Sequence, residues 1–220
     1  TPNTLEKIHL LITQFLLRQQ VISLEQIRID STVVKSNIAP PMDSQLLADS
    51  VRVMSRYLAK SRDCTGIKIR FTDKRKSSKS LAFRIFNAKK SEKEVLYPEL
   101  LKVVRIVLKQ VDRGLEKVQH EAPMTKATQQ WRDEVVHYRE LMSKVIDQTV
   151  RRVIHNEKVP SSEKIVSIFE SHTDVIVKGF RDIQYGHKIN LASDPRGFIT
   201  YLAIEEGNPA DSERFLPIVK

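Results

Sequence analysis

The chain has 220 residues, 40% of them hydrophobic and 29% charged, with a formal net charge of +10. That leaves room for one large domain or two small ones and enough apolar material for a core, while no apolar run approaches the length of a membrane span. The lone cysteine, Cys64, excludes an internal disulfide and a Cys-based zinc site, and it fits a reducing cytosol.

The opening TPNTLEKIHLL lacks the layout of a signal peptide. A helix is predicted from Asn3, which can cap it while Glu6 reaches back, with Leu5, Ile8, Leu11, Ile12, Phe15 and Leu16 as one apolar stripe. The run RIDSTVVKSN, residues 28–37, carries β-branched Ile29, Val33 and Val34 and reads as a strand. Asp30 sits inside it, and a carboxylate there is costly unless solvated, paired or holding a metal. Pro40-Pro41 ends the strand, and a helix is expected from about Asp43 with Leu47, Val51, Met54 and Leu58 on one face.

Between Arg62 and Lys90 ten cations face only Asp63 and Asp73, so this stretch holds +8 of the chain's +10. Its FTDKRKSSKS core reads as an exposed turn. Such a concentration suits phosphate contacts, each of which releases a counterion, and a solvated loop is the plainer alternative. Arg70, Lys74, Arg75, Lys76, Lys79, Lys89 and Lys90 are the candidate DNA-binding residues here. Six engaged phosphates would give a slope of log K against log salt near about −5. The only aromatics in this stretch are Phe71, Phe83 and Phe86, so base stacking is secondary.

From Ser91 to His155 the pattern is helical with a break at HEAPMTK. Leu96, Leu100, Val103, Val107, Val111, Leu115 and Val118 mark one long helix, and Trp131, Val135, Tyr138, Met142, Val145 and Thr149 a second, antiparallel to it. After Pro160 the period shortens: KIVSIF and DVIVKG read as short strands, and HKINLAS and FITYLAIEE as a hairpin about Asp194-Pro195-Arg196-Gly197. In GNPADSERFLPIVK a helix begins, with Asn208 as cap and Pro209 at its first position. Six glycines form neither G-x-G-x-x-G nor a P-loop, and the six histidines show no zinc spacing. His187 and Lys188 in YGHK could reach DNA, although a histidine there is more often merely exposed.

Taken in order, RIDSTVVKSNI with DSQLLADSVRVMSRYL, then IVSIFESHTDVIVKG, then RDIQYGHKINL with AIEEGNPADSERF, resemble the DDE transposases of bacterial insertion sequences, most closely the ISNCY type. The resemblance implies an α/β fold: a partial ribonuclease H-like core with a large helical insertion. It divides the chain into residues 1–42 (first helix and first core strand), 43–160 (helical insertion with the basic segment 62–90) and 161–220 (strands, hairpin and start of a helix). It makes Asp30 the first catalytic carboxylate and a ligand of Mg²⁺ or Mn²⁺, and it implies Mg-dependent cleavage and strand transfer on double-stranded transposon-end DNA.

In the family two metal ions held by carboxylates activate the attacking oxygen and stabilise the leaving one. The second and third acids, however, belong beyond ADSERFLPIVK, and Asp174 and Asp182 do not replace them. Thr1 and Lys220 thus read as cut ends of a longer frame, and the chain is expected to be inactive alone. The resemblance leaves room for a homodimer and places the protein in the bacterial cytoplasm, at the nucleoid, with no membrane partner. The alternative is a non-catalytic DNA-binding or relic protein.

Overall fold

A computed structural model describes residues 2–177 and 183–219. The chain mixes helix and sheet in two compact units, Thr1–Asn37 with Thr173–Lys220, and Ile38–His172. Asp182 and the end of the expected DVIVKG strand fall outside the described residues.

The helical unit holds α2 (Asp43–Thr65), α3 (Arg75–Asn87), α4 (Lys90–Glu121) and α5 (Lys126–Thr149), with a π-helical turn continuing α5 over Val150–Ile154. The expected stripes make its core: Leu47, Val51, Met54 and Leu58 of α2 lie buried with Leu100, Val107 and Val111 of α4 and Trp131, Val135 and Met142 of α5. Each such side chain contributes about 1.5–3 kcal/mol by leaving water. At the start of α2, Asp43 is buried where a carboxylate favours the helix dipole. It accepts from Gln148 and twice from Arg152, at 2.9–3.1 Å.

Two local expectations are corrected in this unit. The basic FTDKRKSSKS stretch is a turn only as far as Lys74; from Arg75 it is α3, because Ser78, Leu81, Ala82 and Ile85 recur at helical spacing and are buried. KIVSIF forms no strand. The Gln148 side chain takes the place of a strand neighbour, accepting from the Ile165 N–H at 2.9 Å and donating to the Ile165 carbonyl at 3.1 Å, and Ile168 packs into the helical core.

The other unit is a four-stranded sheet with α1 (Pro2–Arg18) and α6 (Asp211–Val219). β3 (Gln184–Ser193) is central: β1 (Arg28–Lys35) pairs along one side, and β2 (Asp174–Ile176) and β4 (Ile199–Ile204) share the other. All these pairings are antiparallel, with Asp30 opposite Leu191 and Leu191 opposite Leu202. The hairpin turn is held by Asp194, whose Oδ1 accepts the N–H groups of Arg196 and Phe198 at 3.0 and 2.9 Å.

Helix α6 starts at Asp211, two residues later than Pro209 suggests; Asn208 donates instead to the Val177 carbonyl. Most of the described α1 stripe is not buried. Leu11, Ile12 and Phe15 are exposed, since α1 turns buried Thr13 inward and places His9 Nε2 3.1 Å from the Ile199 carbonyl.

Candidate nucleic-acid interface

Alternation along β1 puts Arg28, Asp30, Thr32 and Val34 on one face of the sheet and Ile29, Ser31 and Val33 on the other. The second face is the covered one. On β3 it carries Lys188 and Asn190, both nearly fully buried, beside Glu205. Asn190 donates to Glu205 at 2.7 Å, Arg214 of α6 meets Glu205 at 2.6 Å, and Lys188 pairs with Asp211 at 2.6 Å and donates to the Pro209 carbonyl. These polar groups fasten α6 to the sheet.

Asp30 faces the opposite way. Its side chain is 71% exposed, accepts its own neighbour's N–H from Ser31 at 2.8 Å, and stands 3.9 Å from the exposed Arg28. The Asp30 carboxylate is therefore solvated, which answers how the strand tolerates it. A divalent cation needs several oxygen ligands, and among the described residues no three His, Cys, Asp or Glu side chains are grouped to hold one. Asp30 by itself does not fit Mg²⁺ or Mn²⁺.

The predicted DNA-binding residues divide between the two units. Lys188 is withdrawn from any surface role by burial and its ion pair; His187, half-buried, has Nδ1 3.9 Å from Asp174. In the helical unit, Arg75 is committed to Asp73 through contacts of 2.6–3.0 Å. Hydrogen bonding to Arg75 holds the Asp73 carboxyl below its usual range. Lys74 precedes the first turn of α3, Lys76 and Lys79 lie on its exposed side, and Lys89 and Lys90 are exposed at the start of α4. That first turn of α3 holds cations and no acid, a poor match to the positive helix end that a bound phosphate would relieve.

Four cations from two segments distant in the sequence meet in one groove. Gly66, in the left-handed conformation at φ 75°, ends α2 and turns the chain along α4. There the Thr72 N–H donates to Gln110 at 2.9 Å and Lys117 reaches the Lys68 carbonyl at 3.4 Å. The result is an open groove of about 610 Å³ lined by Lys68 and Arg70 from the loop and Arg113 and Lys117 from α4. Glu121 is the one acid in its lining, 3.8 Å from Lys117. Of the sequence candidates only Arg70 belongs to it. Arg113 and Lys117 were missed, and their spacing of one helical turn beside Gly114 was the available signal.

Comparison with protein-family models, curated proteins and solved structures finds no match. Among the described residues no helix is long and apolar enough to cross a membrane.

Proposed function

We propose that this chain is the DNA-holding part of a DDE-type transposase, binding double-stranded transposon-end DNA by its phosphate backbone. The observation that carries the proposal is the groove of Lys68, Arg70, Arg113 and Lys117, where two separate segments converge four cations against one acid. Lys76, Lys79, Lys89 and Lys90, exposed elsewhere on the helical unit, add contacts along the same backbone. The order β1–β3–β4, each pair antiparallel, supports the ribonuclease H-like reading, as does the position of Asp30 on β1. The second edge of β1 pairs with no described strand and is where a further core strand would add.

Cleavage and strand transfer are not assigned to these residues, because among the described residues no carboxylates group with Asp30 to hold a metal ion. The test is duplex binding by fluorescence anisotropy at increasing salt. A slope of log K near about −5 supports the proposal; a slope near zero overturns it and leaves a solvated basic surface.

A further inference from the structure

The chain's aromatics are sparse in the basic segment, yet four of them meet in a cavity elsewhere in the helical unit. A pocket of about 420 Å³ opens between α2 and α5, walled by Tyr57, Trp131, Tyr138 and Phe169. That volume lies within the about 300–1,000 Å³ usual for small-molecule clefts. Three of these rings are linked: the buried Trp131 indole N–H donates to the Tyr57 carbonyl at 3.1 Å, and the Tyr57 and Tyr138 rings lie 5.7 Å apart. Phe169 is half exposed at the rim, with the Arg52 guanidinium 5.2 Å over one face of its ring, so only the opposite face is offered to a ligand.

The polar groups are sorted by sign. Arg56 and Lys60, one helical turn apart on α2 and both exposed, line the pocket, and neither makes an ion pair among the described residues. Glu134 lines it from α5 and accepts from Gln130 at 3.0 Å. Burial first, and then the hydrogen bond and charge of Glu134, push the Tyr57 phenol well above its usual pKa. A carboxylate offers about four lone-pair sites, so Glu134 keeps acceptor capacity beyond its bond from Gln130.

We infer that this pocket binds a nucleoside 5′-monophosphate, free or as the 5′-phosphorylated end of a DNA strand. The base stacks on the aromatic wall, its exocyclic amine donates to Glu134, and its phosphate meets Arg56 and Lys60. The ligand class extends the DNA-binding proposal, but the site shares no residue with the basic groove.

The test uses the full chain and its single tryptophan, Trp131, as the reporter. Deoxyadenosine monophosphate should change its fluorescence saturably, and thymidine monophosphate, which lacks the amine, should bind about tenfold more weakly, a difference of about 1.4 kcal/mol. Inorganic phosphate and deoxyadenosine should each bind more weakly than the intact nucleotide.

The double variant Arg56→Gln, Lys60→Gln changes only exposed side chains and should weaken nucleotide binding by about tenfold or more. Tighter binding of a 5′-phosphorylated single strand than of the mononucleotide identifies the strand end as the ligand; the reverse identifies the free nucleotide. No saturable change with either probe, or affinity untouched by the double variant, overturns the inference. Nucleotide binding with no duplex binding would sink the proposed function and leave the pocket standing.

Discussion

Gly114 of α4 lies directly under Ile69: a Cβ at position 114 would come within 2.9 Å of Ile69 Cδ1 and 3.1 Å of Leu58 Cδ2. The absence of a side chain there is what lets the loop carrying Lys68 and Arg70 lie flat on α4 and close the groove. Gly114→Val should therefore cost about 1–3 kcal/mol in urea unfolding through overpacking. It should also weaken duplex binding, because the loop cations are lifted away from Arg113 and Lys117. Gly114→Ala should come out close to neutral in stability, since better helix propensity offsets the smaller clash.

Within the groove, glutamine replacements of Lys68, Arg70, Arg113 and Lys117 report on phosphate contacts. Each should lower the magnitude of the salt slope by about 0.9, and the four together by about 3.6. Anisotropy titrations against two duplexes of unrelated sequence should show the same losses on both, because phosphates carry no base information.

The hairpin turn gives a pH dependence. Burial acts to raise the Asp194 carboxyl, but the N–H groups of Phe198 and Arg196, with the Arg196 side chain, outweigh it and hold the pKa below the usual value. A depressed folded pKa contributes stability that is fully present above the unfolded value, about 3.9, and is lost as pH falls through the folded one. Asp194→Asn should flatten this acid limb below about pH 4, followed by thermal unfolding against pH, and amide exchange in β3 and β4 should quicken at neutral pH.

Lys188 and Asp211 should matter for folding and not for DNA. Asp211→Asn leaves the buried Lys188 ammonium with less compensation, a loss of about 1–3 kcal/mol. It should appear as faster hydrogen exchange along β3, with duplex affinity and salt slope unchanged. A fall in DNA affinity at constant β3 protection would contradict this assignment.

Asp30, by contrast, is exposed on its strand. Asp30→Ala should shift stability by no more than about 0.5 kcal/mol. Titration calorimetry with Mg²⁺ should not distinguish the variant from the native chain, and neither should nick supercoiled plasmid.

Much of the helical unit could be read directly from the chain. The apolar spacings of α2, α4 and α5 demanded buried faces, and Leu47, Leu100 and Met142 are fully enclosed. The hairpin followed from the Asp-Pro-Arg-Gly turn between two alternating runs. Periodicity failed at KIVSIF, where a glutamine side chain took the role of a neighbouring strand, and at the α1 stripe, where amphipathicity says that a face is apolar but not what covers it.

The sequence alone also determined where positive charge would accumulate, because composition is local. Only the tertiary structure decided which charges could act together. Burial took Lys188 out of reach, an ion pair occupied Arg75, and packing across Gly114 joined Lys68 and Arg70 to Arg113 and Lys117, more than forty positions along the chain. Electrostatic cooperation and ring stacking depend on distance in space, and folding sets that distance by where apolar faces meet, not by spacing along the backbone.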